Sequence, residues 1–247
     1  MSVLLLAIIC TVMVATSFLS GLFGMAGGLV LIGVLLFLLP LPAAMALHAI
    51  TQIASNVWRA AIWWRHIRWP AAIAYSAGCL IVLLIWNFYQ YVPSMALALL
   101  VLGIVPFIGK LIPQRYLPTP DRLSHCGLFG FIAMVLMLMT GVAGPVLDQF
   151  FLNGKLDRRE IVATKGACQV FGHAVKLTYF GALIEQAGNI PLHVAILAIA
   201  ASFAGTAWSK KFLEAMEEEQ YRRWAGRIVT AIAGYYVIYG GYLTFVA

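Results

Sequence analysis

The sequence predicts an all-α polytopic membrane protein built from two repeats. Of its 247 residues, 63% are hydrophobic and only 10% are charged, which is far more apolar than a soluble domain. Segments of about 20 mostly apolar residues, the length that a helix needs to cross a bilayer, recur along the chain. The short alternating segments typical of a transmembrane β-barrel are absent from the sequence. Two stretches broken by glycine precede the two groups of spans.

Each half of the chain is predicted to hold one re-entrant, broken helical hairpin followed by three transmembrane helices. The first repeat covers residues 1–110, with a hairpin over 3–39 and spans over 43–64, 70–88 and 93–109. A cytoplasmic loop covers 111–123. The second repeat covers 124–247, with a hairpin over 124–152 and spans over 161–183, 191–208 and 228–247.

The positions of lysine and arginine predict the orientation of the spans. These residues cluster in four segments, 59–68, 110–122, 155–159 and 210–227. Because cytoplasmic loops carry an excess of Lys and Arg, the four clusters are expected inside, with both termini outside the inner (plasma) membrane. Three spans per half then reverse the orientation of the second half, which predicts an inverted repeat. The net charge of +7 is explained by these loops, so nucleic acid is not an expected partner.

The two hairpins break at matching sequences. The stretch GMAGGLVL aligns without gaps to GVAGPVLD, so that Gly24, Gly27 and Gly28 fall on Gly141, Gly144 and Pro145. Proline suits the first turn of a helix, which predicts a half-helix N-terminus at each break. The alternative, a helix-dimer motif at Gly24-x-x-x-Gly28, does not explain why the pattern recurs. The second hairpin has too few residues for two full spans, so half-helices are expected.

The span after each hairpin carries a row of polar residues on one helix face. LHAITQIASNVWRAAIWW aligns with TKGACQVFGHAVKLTYFG, which pairs His48 with Lys165, Gln52 with Gln169, Asn56 with His173 and Arg59 with Lys176. The steps of four, four and three residues place each set on one stripe. Snorkelling of the long cations is the alternative, and it could explain Arg59 or Lys165 taken alone, but not Lys176. It does not explain glutamines near mid-depth, so the stripes are expected to line a substrate pathway.

The polar residues of the spans predict an anionic substrate. Nearly all of the nine acidic residues fall in loops, and Asp148 is the one expected at depth, which makes it the candidate for ion or proton coupling. Half-helix N-termini add partial positive charge and free N–H groups. The five histidines are dispersed and form no H-E-x-x-H pattern, so neither a metal nor another cofactor is expected.

The chain resembles the TauE/SafE sulfite exporter family, also called the four-toluene sulfonate uptake permeases. The resemblance rests on the glycine break at 24–28, on the segment LDRREIVATK at 156–165, and on the layout of a hairpin plus three spans. It implies a secondary carrier of sulfite, sulfonates or related organic anions. A homodimer in the lipid bilayer is compatible with it.

Three classes of function compete at this point. The leading hypothesis is an anion transporter that works by alternating access between inverted repeats. An anion channel would share the basic pathway without sealed gates, and saturable flux stimulated by counter-flow would favour the carrier. A membrane-embedded enzyme would need a convergent catalytic set, which the dispersed histidines do not provide. The chain is therefore not expected to be an enzyme.

Overall fold

A computed structural model of the chain describes residues 3–23, 26–111, 118–183, 190–215 and 218–246, and these form helices and turns with no strand among them. The helices are α1 (Val3–Phe23), α2 (Ala26–Leu38), α3 (Leu41–Ile62), α4 (Trp69–Tyr89), α5 (Met95–Leu111), α6 (Leu123–Thr140), α7 (Gly144–Leu152), α8 (Arg158–Thr178), α9 (Leu192–Ala215) and α10 (Glu218–Val246). A 3₁₀ turn, Trp64–His66, follows α3, and a π-helical turn, Tyr179–Leu183, continues α8.

The protein is a multi-pass membrane protein. Within the described residues, five helices are long and apolar enough to cross a bilayer, namely α1, α4, α6, α9 and α10. The apolar part of α5, Met95–Ile108, is shorter. Helices α3 and α8 have 22 and 21 residues but fall outside that set. They carry the polar stripes, so they can sit in a bilayer only where other helices cover those faces.

The two hairpins have unequal arms, which corrects the expectation of paired half-helices. Their first arms, α1 and α6, have 21 and 18 residues, long enough to cross. Only the second arms are short: α2 has 13 residues and α7 has nine. At 1.5 Å per residue these second arms span only about 20 Å and about 14 Å. The residue count misled because the break in the second hairpin takes only three residues, 141–143, which leaves enough chain for a full first arm.

Local sequence signals set where the two striped helices begin. Pro40 precedes α3 and Pro42 lies in its first turn, where a missing N–H costs no hydrogen bond. Helix α8 begins with a capping box: the Asp157 carboxylate accepts from the backbone N–H groups of Arg159 (2.7 Å) and Glu160 (3.0 Å). The Glu160 side chain accepts from the backbone N–H of Asp157 at 3.2 Å. The LDRRE segment is therefore a helix start.

The striped helices α3 and α8 pack against each other in antiparallel directions. His48 contacts Lys176 near one end of this interface, whereas a Cβ on Gly166 would lie 3.3 Å from the Asn56 carbonyl oxygen further along it. Helix α3 also packs against α2 and α9, and α8 also packs against α4 and α7. Both stripes are thereby covered by protein.

The remaining spans form close pairs, of which α1/α9 and α4/α6 lie beside α3 and α8, while α5/α10 lies beside α2 and α7. Helix α1 packs on α9 and α6 packs on α4, each pair in parallel, while α5 and α10 form an antiparallel pair. Glycine permits the closest approaches: a Cβ on Gly205 of α9 would collide with the Val14 carbonyl oxygen of α1. In the same way, a Cβ on Gly78 of α4 would collide with the Gly127 carbonyl oxygen of α6. The backbones of both pairs therefore approach each other closely.

Candidate functional site

A chain of three buried hydrogen bonds connects the two hairpins through α3 and α8. His48 Nε2 lies 3.0 Å from the carbonyl oxygen of Gly28, in the first turn of α2. His48 Nδ1 lies 2.8 Å from Lys176 Nζ, which also donates to the carbonyl oxygen of Gly141 at 2.8 Å. Gly141 is the residue at which α6 ends. The side chains of two stripes therefore meet the backbone at both breaks.

The bonding partners define which atoms carry hydrogen. A carbonyl oxygen can only accept, so the Nε2 atom of His48 must donate to Gly28. In neutral His48 the Nδ1 atom then holds a lone pair and accepts from the Lys176 ammonium. These two bonds use two of the three Nζ hydrogens of Lys176, and the third can serve a ligand.

Lys176 does not snorkel, because its ammonium turns inward to the carbonyl oxygen of Gly141 at the second break. Its side chain is 0% exposed, as is that of His48. A lysine at bilayer depth costs about 3 kcal/mol even on the lenient insertion scale. Such a residue normally marks a pathway or a binding site.

The acidic residues with described side chains lie away from this cluster. Asp121 precedes α6, and Asp157 and Glu160 form the start of α8. The partners of the Lys176 ammonium seen among the described residues are thus a ring nitrogen and a carbonyl oxygen, with no carboxylate. Asp148, the coupling candidate, lies in α7, and its side chain is outside the described part of the chain.

The middle of each stripe is also buried, at the contact between α3 and α8. Gln52 and Gln169 are only 7% and 8% exposed. The Gln52 side chain lies next to the first break, because a Cβ on Gly28 would approach its Oε1 atom to 3.4 Å. The His173 ring lies 5.5 Å from the His48 ring, measured between centroids. The two stripes therefore face one interior.

Two atoms at matched stripe positions are buried without a hydrogen-bond partner among the described residues. They are Oδ1 of Asn56 and Nδ1 of His173, on side chains that are 1% and 2% exposed. The Asn56 amide nitrogen donates to the carbonyl oxygen of Gln52 at 2.9 Å, which leaves the amide oxygen as the open acceptor. Buried polar atoms are usually paired, so these two atoms are candidate contacts for a ligand or a water molecule.

The opposite end of the α3/α8 interface carries the other two cations. Arg59 and Lys165 are both half-buried, and Arg59 donates to the Ser55 hydroxyl at 3.0 Å. Because the helices are antiparallel, Arg59 and Lys165 share one end while His48 and Lys176 share the other. Among the described residues, the stripe side chains that hydrogen-bond to the two breaks are those of His48 and Lys176.

The glycines of the breaks have different roles. A Cβ on Gly27 would collide with the Thr16 carbonyl oxygen, so this glycine allows α2 to pack on α1. A large side chain at this position would therefore disturb the packing of α2 on α1. Gly141 has a φ of +88°, which favours glycine, and Gly144 is buried at the start of α7. Gly24 and the Pro145 ring are outside the described residues.

Sequence reasoning missed a hydroxyl cluster where α3 meets α9. The Ser202 hydroxyl donates to the Thr51 carbonyl oxygen at 2.9 Å, and Ser55 and Thr206 exchange a hydrogen bond of 3.3 Å. Arg59 reaches this cluster through Ser55. The signal was present as pairs of hydroxyl residues four apart on both helices, a spacing that puts them on one face. It was hidden because single Ser and Thr residues are common in membrane helices.

A multi-pass helical protein with cationic and amide side chains buried beside two broken helices has the features of a membrane transporter. This chain belongs to the sulfite exporter TauE/SafE family, whose family model matches residues 8–236. The match confirms the resemblance seen in the sequence. It makes the chain a member of a family of membrane transporters for sulfur-containing anions, and not of an enzyme family. No curated protein and no solved structure matches the chain.

Proposed function

We propose that this protein is a secondary transporter that carries a small sulfur-containing anion, such as sulfite or a sulfonate, across the inner membrane by alternating access. The observation that carries the proposal is the buried contact of Lys176 with His48 and with the carbonyl oxygen of Gly141. It places a cation between the two hairpins, with neutral acceptors as its partners. An oxyanion that enters there would receive charge-assisted hydrogen bonds, which are the stronger kind.

The other polar groups of the interface fit an anion as well. The amide groups of Gln52 and Gln169 can donate to sulfonate oxygens without the desolvation cost of a second buried charge. Arg59 and Lys165, at the half-buried end, would attract the anion before it reaches the deeper pair. Among the described side chains, none of the acidic residues opposes this field from within the interface.

Alternating access in this proposal depends on two inverted repeats, residues 1–110 and 124–247. Packing supports that division, because exchanging the halves reproduces the helix pairs: α1 on α9 corresponds to α6 on α4, and α2 on α10 corresponds to α7 on α5. Two pairs of corresponding helices, α3 with α8 and α5 with α10, also run in opposite directions. The proposed orientation puts the four basic segments in the cytoplasm and both termini outside.

A ligand panel on the purified protein tests this function. Sulfite, methanesulfonate, sulfate, chloride and a cationic control such as choline would be compared for their effect on the melting temperature. A ligand that binds the folded state raises this temperature by an amount that grows with the ratio of its concentration to its dissociation constant, so one or more sulfur oxyanions should stabilise the protein and choline should not. Lys176→Met, which removes the ammonium, should abolish most of the shift.

Flux measurements separate a carrier from a channel. Proteoliposomes loaded with the best-binding anion should take up the labelled anion faster than empty ones, because a carrier returns more rapidly when loaded. Flux that rises linearly with concentration and ignores the internal anion would instead identify a channel. Stabilisation by choline and by none of the anions would contradict the anion assignment itself.

A further inference from the structure

We propose that binding of the anion is accompanied by uptake of one proton, which is held by the His48–Lys176 pair. This inference rests on the proposed function and assigns the coupling ion of the same site. It moves the coupling role from Asp148, the candidate suggested by sequence, to a pair of residues whose contact is described. The argument depends on counting hydrogens at two atoms, Nδ1 of His48 and Nζ of Lys176.

The short contact between these atoms allows only one positive charge on the pair. At 2.8 Å, one of the two nitrogens must donate and the other must accept. Nε2 already donates to Gly28, so a fully protonated His48 would also present a hydrogen at Nδ1. If Lys176 were an ammonium at the same time, two N–H groups would point at each other. The site without an anion therefore carries at most one of these two charges, and a single charge leaves neutral His48 beside charged Lys176, or the reverse.

An oxyanion removes this restriction. With one oxygen between the two nitrogens, both can donate to it, so Nδ1 can acquire a hydrogen while Nζ keeps its own. The balance is one anion and one proton, both taken from the same aqueous side, and no covalent bond other than the new N–H is made or broken. The net charge of the site then changes by zero. Charge neutrality lowers the cost of carrying the anion through a low-dielectric interior.

The surroundings favour the single-charge state when the anion is absent. His173 of α8 faces His48, and the Arg59 guanidinium lies further along α3, so a second charge on the pair would add to the positive charge already at this interface. Helix α2 has no titratable residue, the π-helical turn contributes Tyr179, and α7 contributes Asp148. Asp148 is the competing proton carrier, and its variant therefore belongs in the test.

Proton uptake can be measured directly by calorimetry. The probe is methanesulfonate, which stays ionised across the working range, so that any proton taken up enters the protein. Binding heats would be compared in Tris and in imidazole, two cationic buffers with different heats of ionisation. The expected result is about one proton per bound anion at neutral to mildly alkaline pH. Equivalently, affinity should weaken by up to about tenfold per pH unit as the pH rises.

Three variants locate the proton. His48→Gln keeps an acceptor opposite Lys176 but cannot take the proton, so its binding should be weaker and free of proton uptake. His173→Gln, the matched control on the facing helix, should still take up one proton even if its affinity falls. Asp148→Asn should also still take up one proton. If His48→Gln does not fold, the pH dependence of the wild-type affinity, compared with that of Asp148→Asn, still tests the proposal.

The outcomes separate this inference from the proposed function. Wild-type binding without proton uptake would overturn the inference and leave the anion transporter standing. Proton uptake that survives in His48→Gln, or that disappears in Asp148→Asn, would also overturn it. A protein that binds none of the sulfur oxyanions in the panel would overturn both proposals together.

Discussion

The polar stripes of α3 and α8 align residue by residue, yet the structure uses their ends differently. Lys176 on α8 is fully buried and bonds across to α3 and to the break at Gly141. Arg59, its counterpart on α3, is half-buried and donates to Ser55, on its own helix. The first aligned pair of the stripes differs in the same way, because His48 is fully buried and its counterpart Lys165 is not.

This difference shows that the spacing of polar residues in a sequence predicts which helix face they share. It does not predict how deeply each side chain is buried. The antiparallel crossing of α3 and α8 places His48 and Lys176 at the same level. The second break then offers a carbonyl oxygen to Lys176 at that level. At the other end, Arg59 meets the hydroxyl cluster of α3 and α9. Two equal stripes thus form one deep cationic site and one outer basic end.

The largest expected effect on anion affinity is the difference between replacing Lys176 and replacing its counterpart Arg59. Lys176→Met removes the charged donor from the deep site, so the anion dissociation constant should rise by roughly ten- to a hundredfold. Arg59→Met, the matched control, should raise it by about threefold or less, because a half-exposed cation contributes little. Titration of purified, folded variants with sulfite or methanesulfonate checks this order. Equal losses in the two variants would mean that the stripes function alike.

The two breaks should also differ when alanine replaces glycine. In Gly141→Ala the new Cβ would lie 2.7 Å from Ile32 Cγ1 and 2.9 Å from Met45 Sδ, at a φ of +88°. Stability should therefore fall by about 1–3 kcal/mol. In Gly28→Ala the nearest atom, Gln52 Oε1, is 3.4 Å away and the residue is helical. Alanine favours a helix over glycine, so stability should change little or rise.

Melting temperatures of the two alanine variants decide this comparison. Gly28→Ala serves as the control for the general effect of an added methyl group near a break. If Gly141→Ala melted no earlier than Gly28→Ala, the left-handed conformation at the end of α6 would not be a structural requirement. Anion affinity should be measured in the same variants, because the added methyl group at position 28 would contact the Gln52 side chain.

The sequence predicted most of the fold because hydropathy and charge act at the level of whole segments. The spans over 43–64, 70–88 and 161–183 correspond to α3, α4 and α8 with its π-helical turn. The sequence-based prediction was wrong for the first arms of the two hairpins. Counting residues cannot show that the break after α6 needs only three residues.

The sequence predicted which polar residues belong to the candidate site, but not how their side chains contact one another. The spacing of His48, Gln52 and Asn56 was enough to place them on one buried face. Nothing in the spacing indicated that Lys176 would contact His48. These two residues are 128 positions apart in sequence, and their contact depends on where along their lengths α3 and α8 cross. The role of Gly27 against Thr16 was hidden for the same reason.

Replacing Gln52 and replacing Gln169 are expected to weaken anion binding equally, in contrast to replacing Lys176 and Arg59. Their exposures of 7% and 8% are nearly the same, and both carry an amide at the α3/α8 contact. Replacing either by leucine removes a neutral donor, so each variant should weaken anion binding by about two- to tenfold. The double variant measures their coupling. A loss confined to one of the two would show that the asymmetry of the stripes extends to mid-depth.

The smallest expected effect concerns how the striped helices begin, since only α8 has a capping box. The backbone N–H of Glu160 donates to the Asp157 carboxylate and holds the pKa of Asp157 below its usual value. A lowered pKa in the folded state means that the carboxylate stabilises the fold above its ordinary pKa and loses this contribution as the pH falls through the lowered one. Asp157→Ala should therefore lower the melting temperature slightly at neutral pH, and its difference from wild type should shrink below about pH 4. Pro42→Ala, in the first turn of α3, is the matched control and should show a difference that does not vary with pH. A constant difference between wild type and Asp157→Ala across the acid range would mean that the ionised cap does not contribute to the stability of α8.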